Sequence, residues 1–416
     1  MSEVVSLEEL CTGIIDCPHS TPKWQDKGIP VIRNYNLKDG KIDCANLSFV
    51  SEEDYKERVK RAIPEESDII ISREAPMGVV GIVPKGFQCC LGQRLVLLKI
   101  DKSKCLPKYL LYTLMSEYVQ LQIRRINQTG SIVSNLNISS LRELKIPLHS
   151  FEEQKKIANI LSAIDDKISL NNQINQELEA MAKTLYDYWF VQFDFPDQNG
   201  KPYKSSGGKM VYHPELKREI PEGWGVEKLG ELAQFKNGIN YEKTSSGSEK
   251  VKIINVRNIS SSTIFINQTD LDEIFLENDK STNFIVNEGM ILITRSGIPG
   301  ATRLVSELEA KTVYSGFIIA SEVNDLIYKN LIFYYLKHVE EVLKNQSAGT
   351  IMKNISQSVL TDMTVSLPPQ NVLLKFNSIV DNLLEQMKNV QRQNQELTQL
   401  RDWLLPMLMN GQVKVE

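Results

Sequence analysis

Apolar residues recur every seven positions along two stretches of the chain, about Ser150–Phe190 and about Asn371–Met409. In the first, Ile157, Ile164, Asn171, Leu178 and Leu185 fall on one line, and Ile160, Lys167, Ile174, Met181 and Tyr188 on a second. In the other stretch the lines are Phe376, Leu383, Val390, Leu397 and Leu404, then Ile379, Gln386, Gln393, Leu400 and Met407. A narrow seam repeating every 3.5 residues predicts two coiled-coil helices, each about 50–60 Å long. The pattern also fits two unrelated amphipathic helices, each lying on its own domain. Asn171 either fixes register on the seam or faces solvent.

The two stretches belong to a repeat. SDIIISREAPMG (Ser67–Gly78) returns as GMILITRSGIPG (Gly289–Gly300), 222 positions later, and Ile32 and Asn36 match Ile254 and Asn258 at the same offset. TGSIVSNLNISSLRELKIPL (Thr129–Leu148) returns as AGTIMKNISQSVLTDMTVSL (Ala348–Leu367), 219 positions later, and that offset carries NQEL at Asn175–Leu178 onto Asn394–Leu397. An offset that carries the heptad lines with it defines one unit used twice.

Each globular part mixes periods. Short β-rich runs (Asp68–Ser72, Arg94–Ile100, Met290–Thr294 and Phe317–Val323) are bounded by turn residues. A helical stripe follows each: Leu111, Leu114, Tyr118 and Leu121, then Ile332, Tyr335, Val339 and Val342. The expected fold is α+β, with globular domains at 1–150 and 223–368. Long helices are expected at 151–190 and 369–416. Residues 191–222, rich in Pro, Gly, Ser and Lys, read as an irregular linker with little to bury.

Composition narrows the function. Lys plus Arg number 48 against 52 Asp plus Glu, which argues against coating nucleic acid by bulk charge but leaves local basic faces open. MSEVVSLEEL is acidic without an apolar core, and no apolar run approaches ~18 residues, so a cytoplasmic protein is expected. Cys11, Cys17 and His19 fit no common zinc spacing, and no metal site is expected. Gly207, Gly208 and Lys209 are no phosphate loop, and His19, His149, His213 and His338 are scattered. Glu152 and Glu153 suit a helix start. No catalytic constellation emerges.

Binding residues are present. Lys23, Arg33, Tyr35, Arg73, Arg94, Arg124, Arg125, Gln128 and Ser131 lie in or near loops of the first copy. Tyr241, Lys250, Lys252, Arg257, Arg295, Arg303 and Lys353 do so in the second. These residue types reach phosphates and base edges. Arg73 and Arg295 stand out because both copies keep an Arg at the same strand end; a structural salt bridge is the competing role. The copies agree in apolar framework and differ in polar detail, as suits one scaffold reading two targets.

The tandem unit, the IPEGWGVEKLGEL passage (Ile220–Leu232), the WFVQFDF run (Trp189–Phe195) and EEQKKIANILSAIDDKI (Glu152–Ile168) together resemble the specificity subunit of type I restriction–modification systems. The second copy departs from the pattern, with Asn371 and Leu373 where the first has Glu152 and Gln154. The resemblance implies two target recognition domains, each reading half of a bipartite site in double-stranded DNA. It further implies an antiparallel coiled coil that sets the gap and docks two modification (methyltransferase) subunits. S-adenosylmethionine, ATP and Mg are expected on partner modification and restriction subunits, and no cofactor on this non-catalytic chain. The alternative is a coiled-coil adaptor that binds proteins instead of DNA.

Overall fold

The computed structural model describes residues 3–128, 135–241, 247–345 and 354–413. It divides into two compact units, Met1–Leu170 with Gln393–Glu416 (unit 1) and Asn171–Arg392 (unit 2). Both mix helix and strand.

Unit 1 is built on an antiparallel sheet of β1 (Cys11–Asp16), β2 (Ile69–Ser72), β3 (Val80–Ile82) and β4 (Leu95–Ile100), in the order β1-β4-β2-β3. Strand side chains alternate between faces. Ile69, Ile71, Val96 and Leu98 therefore point into one core, with Tyr109, Leu110 and Leu161. Ile70, Leu95 and Leu97 point into another, with Cys17, Ile32 and Leu91. A sheet covered on both faces explains why β2 and β4 read as unbroken apolar runs. A three-stranded sheet (Ser48–Val50, Ile29–Ile32, Cys90–Leu91) flanks it, and Glu3–Ser6 pairs with Lys145–Leu148.

Unit 2 repeats this plan with β5 (Ala233–Asn237), β6 (Ile291–Thr294), β7 (Thr302–Leu304) and β8 (Ile318–Val323), in the order β5-β8-β6-β7. Asp272–Leu276, Glu249–Ile254 and Thr312–Tyr314 form its three-stranded sheet, and Gly225–Lys228 pairs with Thr364–Leu367. The same strand order in both units is the structural form of the sequence repeat. Each of the four expected strands is found one residue shorter at its N-terminal end.

The helical stripe of unit 1 needs correction. The chain breaks at Ser116, extended at ψ 148°, into helices Pro107–Met115 and Glu117–Gln128. After the break the buried residues are Val119 and Ile123, leaving Tyr118 and Leu121 exposed. In unit 2 helix Lys329–Asn345 is continuous and buries Leu331, Ile332, Phe333 and Tyr334, whereas Val342 is exposed.

Residues 191–222 differ from the expected irregular linker. Met210–His213 and Arg218–Pro221 form a hairpin. Phe193, Phe195, Ile220 and the adjacent Trp224 join the unit 2 core, with Phe195 stacked on Tyr203 at 4.8 Å and Arg218 over Phe193 at 4.8 Å. Few aromatics spaced among polar residues were enough to anchor the segment, because each buries a large area.

The two heptad stretches are single helices, Phe151–Tyr186 (the central helix) and Gln370–Met409 (the C-terminal helix). A capping box opens the first: the Ser150 hydroxyl accepts from the Glu153 amide at 3.4 Å, and the Glu153 carboxylate accepts from the Ser150 amide at 3.1 Å. Where the copies differ, Gln154 is buried and accepts from the Leu106 amide at 2.9 Å, while Leu373 packs in the apolar core of unit 2. The first heptad lines are buried at Ile157, Ile164, Asn171, Leu178, Phe376 and Leu383. The second lines are not a seam: Ile174, Met181, Tyr188, Ile379 and Leu400 are exposed. Their places are taken by Ala158, Leu161, Ala182, Val380, Leu384 and Met387. Leu161, Ala182, Val380 and Met387 lie four positions after a first-line residue and Ala158 and Leu384 one after, the broader face of a helix that also covers a globular core. No described helix is long and apolar enough to cross a membrane.

Candidate nucleic-acid interface

In unit 1, four loops converge at one end of the sheets. The Gln93 amide donates to the His19 carbonyl at 2.7 Å, the Gly92 N–H to Ile32 at 2.7 Å, Asn34 Nδ2 to Ala75 at 2.7 Å, and the Arg73 N–H to Arg94 at 2.8 Å. Gly92 is required there, because a Cβ would stand 2.8 Å from the Ile32 carbonyl oxygen. Ala75 (φ 43°) and Arg94 (φ 68°) hold left-handed backbone without being glycine, the kind of local strain that gathers at functional loops.

At this end the Arg33 guanidinium lies over the rings of Trp24 (5.2 Å) and Tyr35 (4.8 Å), residues 45% and 50% exposed. Lys23 is exposed beside Trp24, and its backbone N–H reaches Asp54 at 3.4 Å. Arg94 pairs with Glu74 at 3.1 Å. Arg124, on the helix Glu117–Gln128, pairs with Glu117, and Arg125 beside it is exposed. The side chain of Gln128 and all of Ser131 lie outside the described residues.

Arg73 makes the salt bridge that competed with a binding role. Its side chain is 13% exposed, donates to both Asp16 oxygens at 2.9 Å, and reaches the Leu136 carbonyl at 3.0 Å. A strand-end arginine here ties β1 and the segment near Leu136 beneath the loops. Arg295 does related work in unit 2: its Nη1 donates to Gly316 at 3.0 Å, and its carbonyl accepts from the Ile355 amide at 2.9 Å.

The corresponding end of unit 2 is differently charged. Arg257 is forked over Asp270 (2.8 Å) and Asp272 (2.7 Å), whose hydrogen bonds and charges hold it above the usual arginine range. Lys250 pairs with Glu273 at 2.9 Å and Lys252 with Glu309 at 4.0 Å. The Tyr241 hydroxyl donates to Asn255 at 3.2 Å. Arg303 is corrected: it is buried, bound to Glu340, and faces no surface. Lys353 lies outside the described residues. Phe317 (63% exposed) and Ile298 stand on the loops that Arg295 braces.

Trp24 and Phe317 were missed in the sequence. Trp24 is an aromatic inside the polar run KWQDKG, a signal that was available. Phe317 was read as the first residue of a strand. Among the described residues no group of three or more His, Cys, Asp and Glu is placed to hold a metal. Burial pushes the Cys11 thiol up to about 12.

Comparison with known proteins now bears on this geometry. The family model described as "Type I restriction modification DNA specificity domain" matches residues 2–180 and again 221–399. This chain belongs to that family. It is 30% identical over 388 residues to the type I restriction enzyme MjaIX specificity subunit of Methanocaldococcus jannaschii, covering 90% of this chain and 86% of that one. A putative MjaX specificity subunit from the same organism is 26% identical, covering 94% and 88%. The crystal structure of the S subunit of a type I restriction–modification system from M. genitalium has the same fold, with a TM-score of 0.53 at 18% identity over 98% of this chain and 96% of that one.

Proposed function

We propose that this chain is the DNA-recognition subunit of a type I restriction–modification complex, each unit reading one block of a split site. The observation that carries the reading is the double match of the specificity-domain model. Each match falls on a sheet of the same strand order with loops gathered at one end. The unit 1 loops carry aromatic and cationic side chains of the kind that meet DNA.

The long helices act as the spacer. In unit 1, Asp165 of the central helix meets Arg401 of the C-terminal helix at 3.1 Å. In unit 2, Tyr186 meets Phe376, ring centroids 6.5 Å apart. As one number rises the other falls, which supports an antiparallel coiled coil and a pseudo-twofold repeat. The exposed apolar residues Ile174, Met181, Tyr188, Ile379, Leu400 and Trp403 support docking of two modification subunits. S-adenosylmethionine, and the ATP and Mg of a restriction subunit, belong to those partners. This chain supplies recognition without chemistry, in the cytoplasm. Family membership disfavours the protein-binding adaptor.

The test is methylation profiling of cells that make this chain with its neighbouring modification subunit, beside cells lacking the chain. A new motif of two specified blocks around an unspecified gap is expected. An intact complex that modifies no such motif overturns the reading.

A further inference from the structure

The loop cluster of unit 1 contains one arginine held unlike the others. Arg73 is spent on Asp16, Arg94 on Glu74 and Arg124 on Glu117, and Arg125 stands exposed on the helix Glu117–Gln128. Arg33 instead lies over two exposed rings, and among the described residues no carboxylate pairs with it. A carboxylate would cancel its charge and occupy its fork. Aromatic faces fix the plane of the guanidinium and leave its N–H groups unspent. Such an arginine is prepared for a planar acceptor with two adjacent oxygens or nitrogens. On DNA, two groups answer: the O6 and N7 edge of guanine, and a phosphate.

The repeat decides between them. Arg33 and Asn255 stand 222 positions apart and occupy the same backbone place. The Arg33 N–H donates to Asn36 Oδ1 at 3.0 Å, and the Asn255 N–H donates to Asn258 Oδ1 at 2.8 Å, each opening a short helical turn. Phosphates are the same in every half-site, so a phosphate contact would favour a cation in both copies. A base contact must change when the base changes. Here the cation is replaced by an asparagine, which Tyr241 (3.2 Å) and Asp272 (3.4 Å) hold in place.

We propose that Arg33 is a specificity-determining residue that reads a guanine in the block recognised by unit 1, with Trp24 and Tyr35 fixing its plane. The proposal rests on the DNA-recognition function given above. In the assembled complex the guanidinium would enter the major groove and donate two hydrogen bonds, to O6 and N7. Lysine would keep the charge and lose the planar fork.

The experiment has two readouts. First, the modified motif is profiled in cells carrying the complex with the wild-type chain, Arg33→Lys or Arg33→Ala. One G·C position of one block should become degenerate in both variants, with the other block unchanged. Second, the wild-type complex is titrated with its duplex carrying 7-deazaguanine at that position. Loss of N7 should weaken wild-type binding, and Arg33→Ala should be indifferent to it. Replacing the pair altogether should cost the wild type roughly 5- to 150-fold, the discrimination of one bidentate contact.

An unchanged motif in Arg33→Ala overturns the proposal, as does degeneracy at an A·T pair. So does a uniform loss over all positions, with a salt slope reduced by about 0.9, which is the signature of a phosphate contact. If the variants do not assemble, the 7-deazaguanine titration of the wild type still decides: no guanine whose N7 matters sinks the idea. A wild-type complex that modifies no split motif would defeat the functional reading itself, a result distinct from a split motif indifferent to Arg33.

Discussion

Arg303 Nη1 lies 3.0 Å from Glu340 Oε2 inside unit 2, with the two side chains only 7% and 2% exposed. The pair is fully dressed. Arg303 also donates to the carbonyls of Ser262 (2.7 Å) and Thr302 (2.6 Å), and Glu340 accepts from the Thr302 amide at 3.1 Å. It thus ties β7 to helix Lys329–Asn345. Buried ion pairs roughly break even against a well-packed apolar pair, but a single survivor is costly.

Lys337 Nζ also reaches Glu340 Oε2, at 3.4 Å, so Arg303→Met alone should destabilise the chain by no more than the about 3–5 kcal/mol of a fully orphaned charge, and Arg303→Met with Glu340→Leu by less. Urea unfolding midpoints of the two variants check this. Equal losses in single and double variants would show that the pair is not the unit that matters. DNA binding by the folded single variant should keep its sequence preference, since Arg303 faces no loop surface.

That arginine also shows where sequence reading stops. A lone Arg after a turn looks the same whether it points to solvent or to a glutamate 37 residues later. Repetition, by contrast, was legible: the strand runs around Ile70 and Leu292, and the first heptad lines, survive comparison with themselves. The outward turn of Ile174, Met181 and Leu400 was not legible, because a helix covering a globular core and a helix in a coiled coil share half their apolar positions. The Pro- and Gly-rich segment misled for a related reason. Composition counts residues, whereas Phe193, Phe195 and Trp224 act through the area each buries. Of the site, the loops could be named in advance. Which of their cations are neutralised required partners distant in sequence, such as Asp16 for Arg73 and Asp270 for Arg257.

His149 makes one pH prediction. The Tyr109 hydroxyl has one proton and donates it to the Pro147 carbonyl at 2.6 Å, leaving its oxygen to accept from His149 Nδ1 at 2.8 Å. Burial lowers the His149 pKa from its ordinary 6.5, against an opposing pull from Glu153. Between 6.5 and that lowered value the unfolded chain binds a proton that the folded chain does not, so stability falls as pH drops through the window. His149→Asn should flatten this part of the stability–pH curve in unit 1. The check is the difference in urea midpoint between wild type and variant, measured from pH 7 to pH 5; a constant difference would refute it.

Arg257 is the masked counterpart of the exposed cations in unit 1. Asp270→Asn with Asp272→Asn should free its guanidinium while leaving neutral hydrogen-bond acceptors beside it. Binding of the complex to unrelated duplex DNA should tighten, and the slope of log affinity against log salt should steepen by up to about 0.9 if Arg257 then meets a phosphate. Salt titration of the variant complex against wild type measures this, and an unchanged slope would place Arg257 away from the DNA.

The spacer makes the most direct geometric prediction. Seven residues of helix span about 10 Å, or about 3 base pairs, and their removal turns one helix end by only about 20° relative to the other. Three base pairs of DNA turn by about 100°. A paired deletion of Ile168–Ile174 and Arg392–Thr398 should therefore move the preferred gap about 3 base pairs shorter while both blocks survive. Modification should also slow, because the shortened gap turns one DNA block relative to the other far more than the shortened helices turn, and the duplex must absorb the difference. The heptad must come from outside the globular cores: Leu178 and Ala182, further along the central helix, are buried in the unit 2 core. On the proposed pairing of the helices, deleting seven residues from one of them alone shifts its register against the other and should abolish modification. Methylation profiling reads all three outcomes, and a paired deletion that keeps the wild-type gap would mean that something other than these helices measures it.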